Sequence, residues 1–229
     1  QYMIKQVKAY LDSAPNATII SVSQNDNYAQ CESPAEKAIN TAEGTAGGAL
    51  FRAVNAIADA IKDDYPGVAV DTLAYQWSRP APKITKPRDN VIIRLCNIEC
   101  NFAEPLDSPS NAPFQKDMGN WAKISNRTYI WNYITNFGDF IAPFPNYFNL
   151  GPDVDYLVSN GVRGIFQEGA YTGAGGEMCE LKDYLLGRMM FDPSRNASET
   201  IHTFLRGYYG QAAAPHILRY LQIMHESAH

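Results

Sequence analysis

Histidine and cysteine are scarce in this sequence, four of each among 229 residues. His202, His216, His225 and His229 all fall on helical patterns near the C-terminal end, away from every strand end. Neither a clustered metal site nor a histidine-based triad is therefore expected, and no cofactor is expected either. No apolar run approaches the roughly 18 residues that a membrane span needs. Basic residues are not in excess: 19 Lys and Arg stand against 24 Asp and Glu, a net charge of −5. The charges are dispersed, which argues against nucleic acid or an anionic membrane as the main partner. A glycine-rich phosphate loop after the first strand is also missing, which counts against a nucleotide-binding open sheet. The four cysteines, Cys31, Cys96, Cys100 and Cys179, allow two disulfides or none. Cys96 lies mid-strand and reads as a small buried hydrophobe, while Cys31 and Cys100 both follow strand ends and are the candidate pair.

What the sequence does hold is a set of apolar, β-branched runs that end abruptly in polar and aromatic residues. Asn90-Val-Ile-Ile-Arg-Leu-Cys-Asn-Ile-Glu-Cys100 is the clearest, a buried strand delivering Glu99 to its C-terminal mouth. Ala17 to Ser23 runs into Gln24-Asn25-Asp26-Asn27, and Val68 to Ala74 into Tyr75-Gln76-Trp77. Arg127 to Ile130 runs into Trp131-Asn132-Tyr133, and Val162 to Phe166 into Gln167-Glu168. Helical periodicity is expected over 2–12, 47–64, 111–124, 152–160, 178–190, 198–208 and 212–225, with a long polar loop from Asn27 through Ser33-Pro34 to Gly44. Arg79 to Arg88 is a Pro-rich extended connector.

Strands alternating with helical patterns are βα units, so the class is α/β with a parallel sheet. A (β/α)₈ (TIM) barrel and an open doubly wound sheet both fit, and long carboxylate-bearing loops at the C-terminal strand ends favour the barrel. A full barrel takes about 250 residues. The expected organisation is five C-terminal βα units over residues 1–176 and a helical C-terminal extension over 177–229. The sequence opens at Gln1 directly on a helical pattern, and the remainder of a longer chain is expected before it.

Asp26, Glu99 and Glu168 are the candidate catalytic carboxylates, because glycosidic bond cleavage needs one protonated and one ionised carboxyl across the bond. Helix-capping or ion-pairing carboxylates at βα junctions are the plainer reading of the same residues. Tyr75, Trp77, Trp131, Tyr133 and Tyr171 would wall a sugar subsite, and Gln24, Asn25, Asn97, Asn132 and Gln167 would contact hydroxyls. Trp131 and Tyr133, two apart on one strand, share a face and equally well fill a barrel interior. Arg94, inside an apolar strand, reads as a buried partner of one of these acids, a barrel-layer residue, or the cation that a uronic-acid carboxylate would require. Three acceptor sequons, at Asn16, Asn126 and Asn196, lean towards a secreted, glycosylated protein.

Over nearly its whole length, at Ile20-Ser-Val-Ser-Gln-Asn-Asp26, Val70-Asp-Thr-Leu-Ala-Tyr-Gln76, Asn90 to Cys100, Tyr129-Ile-Trp-Asn-Tyr-Ile-Thr-Asn-Phe137 and Gly161-Val-Arg-Gly-Ile-Phe-Gln-Glu-Gly169, the sequence resembles the family designated domain of unknown function 4838. The resemblance implies a glycoside-hydrolase-like (β/α)₈ barrel, related to the α-glucuronidase and hexosaminidase barrels, within longer secreted proteins. It implies carbohydrate as the partner, acting on a uronic or amino sugar, and places Asp26, Glu99 and Glu168 where such barrels keep acid, base or substrate-holding carboxylates. Relatives carry several Cys after the Ser-Gln-Asn-Asp motif, where here only Cys31 remains. Many also read Trp-Asp-Tyr where this chain has Trp131-Asn132-Tyr133. A second expectation follows from Asn132: a catalytically inactive glycan-binding or structural extracellular glycoprotein, with assembly into a larger structure.

Overall fold

The computed structural model describes residues 1–173 and 175–228. Five strands, β1 (Ile19–Ser21), β2 (Ala69–Ala74), β3 (Val91–Cys96), β4 (Thr128–Tyr133) and β5 (Gly164–Glu168), follow one another in the sheet in chain order. β1 pairs parallel with β2, and β2 with β3. The bonds from Ile93 N to Arg127 O and from Asn97 N to Trp131 O step by four residues on both strands, so β3 and β4 are parallel as well. A doubly wound sheet reverses its strand order between its halves. This one does not reverse, which removes the doubly wound alternative. Among the described residues the strands number five, short of the eight that close a barrel.

The chain forms two compact units, Gln1–Cys96 with Asp117–Ile130, and Asn97–Lys116 with Trp131–His229. In the first, α1 (Tyr2–Ser13) buries Val7 and Leu11, and α3 (Gly48–Ile61) buries Phe51, Val54, Ile57, Ala58 and Ile61 at helical spacing while packing on β2 and β3. The stretch expected as one long polar loop contains a helix, α2 (Pro34–Glu43). Its signals are local: Ser33 caps the start by accepting from Glu36 N, Pro34 stands in the first turn, and Gly44 ends it at φ 68. Polarity hid the helix, because α2 buries only Glu43.

No α-helix joins β2 to β3. The Pro-rich connector lacks backbone donors at Pro80, Pro82 and Pro87 and has no ladder of its own, so side chains of the helices meet its polar groups. Glu43 Oε2 accepts from Ile84 N and Thr85 N, and Asn55 bonds Lys86 O and Arg88 N. Trp121 Nε1, from α4 (Ala112–Ala122), donates to Arg79 O, and the Trp121 ring stands edge-on to Phe51.

In the second unit α5 (Leu150–Ser159) ends as expected at Asn160-Gly161, with Gly161 at φ 84. The helices α6 (Cys179–Phe191), α7 (Ala197–Tyr208) and α8 (Ala214–Glu226) follow β5. Leu181, Leu185, Leu186 and Met189 of α6, Ile201 and Leu205 of α7, and Leu221 of α8 share one core with Tyr147, Leu150 and Val154. No helix of the described residues is long and apolar enough to cross a membrane.

Candidate functional site

Side chains alternate across a strand, so residues two apart share a face. On one face of the second unit, Trp131 Nε1 donates to Glu168 Oε2 at 2.6 Å, and the Phe166 ring meets the Trp131 ring edge-on at 4.7 Å. Trp131 and Glu168 are half-buried and Phe166 is exposed. A carboxylate at a strand tip is thus oriented by an indole N–H and flanked by an aromatic ring.

Asn132 and Gln167 are one residue off this register and point to the other face. There they form a chain of amides: Asn97 Nδ2 donates to Asn132 Oδ1 at 2.6 Å, and Asn132 Nδ2 to Gln167 Oε1 at 2.7 Å. Asn97 and Asn132 are buried, and Asn97 Oδ1 has no partner among the described residues. These residues tie three successive strand ends together instead of lining the Glu168 face. An aspartate at position 132 would sit in the same amide chain, on the face opposite Glu168.

Glu99 is exposed on the turn that closes from Cys100 N to Asn97 O at 2.9 Å. Tyr133 is buried, edge-on to Phe102 and Phe137, and Tyr171 is exposed against Phe137 and Phe140. In the first unit Asn25 and Asp26 lie on an exposed loop, where Asn27 O accepts from Trp77 Nε1. Gln24 accepts from the buried Ser78 hydroxyl, and the Tyr75 hydroxyl accepts from Gln76 Nε2. Arg94 pairs with Asp71 across β2 and β3, Nη2 to Oδ2 at 2.9 Å and Nε to Oδ1 at 3.3 Å. Burial pushes the Asp71 carboxyl up, and Arg94 opposes that shift. Asp71 escaped notice in the sequence because it lies inside an apolar run.

Lys182, Glu177 and Tyr147 form a buried polar group that sequence reasoning also missed. Lys182 Nζ bonds Glu177 Oε2 at 3.1 Å and Ile134 O at 3.2 Å and lies over the Phe144 and Tyr147 rings; the Tyr147 hydroxyl donates to Glu177 Oε1. Burial holds the Lys182 amine down while Glu177 works against it. The available signal was a lysine at a core-facing position of α6, between Leu181 and Leu185.

Cys31 is a free, exposed thiol, so the Cys31–Cys100 bridge does not form; Cys96 is buried as expected. Asn16, Asn126 and Asn196 are exposed. His225 packs edge-on to Phe148, and His229 lies outside the described residues. Among the described residues no group of three or more His, Cys, Asp or Glu could hold a metal ion.

The model of the family described as a domain of unknown function, DUF4838, matches residues 1–222. The chain belongs to DUF4838. No curated protein and no solved structure matches this DUF4838 chain.

Proposed function

We propose that the chain is part of a secreted, glycoside-hydrolase-like (β/α)₈ barrel that cleaves a sugar glycosidic bond through paired carboxylates, with Glu168 and Glu99 as the pair. The observation that carries this reading is the Glu168 carboxylate at the tip of β5, oriented by Trp131 Nε1 at 2.6 Å with the Phe166 ring alongside. Carboxylates and aromatic rings at the C-terminal ends of parallel strands are what a barrel active site is built from, and the unreversed strand order supports the barrel. A bond from an N–H is strongest to an ionised carboxyl, which suits Glu168 to the nucleophile or base role and leaves Glu99 to donate the proton to the departing glycosidic oxygen. Water supplies the hydroxyl that ends on the anomeric carbon.

The test is hydrolysis of a panel of aryl glycosides and oligosaccharides by the wild type and by Glu168→Gln and Glu99→Gln. Loss of about 10²-fold or more in turnover in each variant is expected; unchanged turnover in both would sink the assignment. Saturable glycan binding with no hydrolysis across the panel would favour the non-catalytic alternative.

A further inference from the structure

A cavity of about 310 Å³ opens in the second unit where β4 and β5 end, lined by Ile134, Thr135, Gly169, Gly176, Lys182 and Asp183 among others. Gly169 directly follows Glu168. Glycine at 176 permits a close approach in the cavity wall: a Cβ there would stand 3.0 Å from Ala170 Cβ and 3.3 Å from Phe140 O. Glu177 N donates to Phe140 O at 2.7 Å and so joins the loop after β5 to the loop after β4. Both loops carry aromatic rings. Phe137, Phe140 and Tyr171 meet one another at centroid distances of 5.7–6.3 Å, and Tyr171 is 71% exposed with Phe137 39% exposed. Rings clustered this way but left open to solvent present a stacking surface rather than a core.

The charge on the wall narrows the ligand. Lys182 is buried and paired with Glu177, so the two cancel. Asp183, exposed on the next position of α6, is then the wall's remaining carboxylate and accepts from hydroxyl donors while repelling anions.

We propose that this cavity is a sugar subsite at the ends of β4 and β5, which holds an uncharged saccharide unit with Asp183 and Thr135 bonding its hydroxyls and the Phe137–Phe140–Tyr171 rings, on the loops beside it, as a stacking surface. The proposal rests on the carbohydrate reading of the Glu168 face, and it is tested by binding, apart from turnover. Titration calorimetry of the full chain is run against gluco-oligosaccharides, N-acetylglucosamine oligomers and glucuronic-acid oligomers. One of the two uncharged series binds, and the choice between them says whether hydroxyls alone or an acetamido group fills the cavity. Tyr171→Ala and Asp183→Asn each weaken that binding by about tenfold, and Tyr171→Phe restores it, with melting temperatures unchanged because both side chains are exposed. No saccharide bound by the wild type, tighter binding of the glucuronic series, or binding indifferent to both substitutions overturns the subsite. Turnover that needs Glu168 but ignores Tyr171 and Asp183 overturns the subsite and leaves the hydrolase reading standing. Tyr171-dependent binding without turnover supports the subsite and removes the hydrolase reading.

Discussion

At the scale of single residues, the carboxyl of Asp153 shows how burial changes chemistry that the sequence leaves ordinary. It sits in the first turn of α5, accepts from Leu106 N at 2.8 Å, and is pushed up to about 7 by burial, with the Leu106 bond opposing and the charge of Asp107 adding. An acid whose pKa is raised on folding is stabilising while protonated. That contribution is complete below the ordinary carboxyl value of 3.8 and is lost as pH rises through about 7. Asp153→Asn keeps an acceptor for Leu106 N and removes the buried charge. It should raise stability at pH 7 by about 1–3 kcal/mol and flatten the dependence between pH 4 and 7, as read by urea denaturation at several pH values. A variant that is less stable than the wild type at pH 7 would contradict this. Asn132 teaches the complementary lesson, since one step along a strand separates a residue that faces Glu168 from one that faces the amide chain.

At the scale of elements, α2 and the connector from β2 to β3 stabilise each other through Glu43. Its side chain is fully buried and accepts from Thr85 Oγ1, Thr85 N, Ile84 N and Arg52 Nε. Burial disfavours its charge, yet the donors of Thr85, Arg52 and Ile84 outweigh that and bring its pKa to about 2. The sign is the reverse of Asp153: the stabilisation is present above the ordinary value of 4.5 and is lost as pH falls towards 2. Glu43→Gln leaves donors facing donors and should cost on the order of 2–3 kcal/mol. It should also remove part of the acid-denaturation limb seen in a circular-dichroism titration. A substitution tolerated at neutral pH would mean that the connector finds its hydrogen bonds elsewhere.

At the scale of the whole molecule, the sequential strand order and the three exposed sequons bear on the same proposal, an extracellular barrel. Expression through a eukaryotic secretory route should attach glycans at Asn16, Asn126 and Asn196, and peptide N-glycosidase should lower the apparent mass in steps that disappear one at a time in the Asn→Gln variants. An unmodified product would tell against secretion as the native route.

The sequence by itself determined the strands and most helices, because period-two and period-3.6 apolar patterns, Pro66-Gly67 and Asn160-Gly161 are local signals that survive without tertiary context. It also carried the polar and aromatic tips of the strands, including Glu168 and Trp131. It did not reveal α2, whose side chains stay mostly in solvent, nor Asp71 and Lys182, charges hidden in apolar patterns. Which tips meet was decided only by the tertiary structure. Register sets which face each side chain takes, and a single residue of offset sends Trp131 to Glu168 and Asn132 to Asn97 and Gln167. Strand order, likewise, depends on which backbones hydrogen-bond, and no local pattern encodes that.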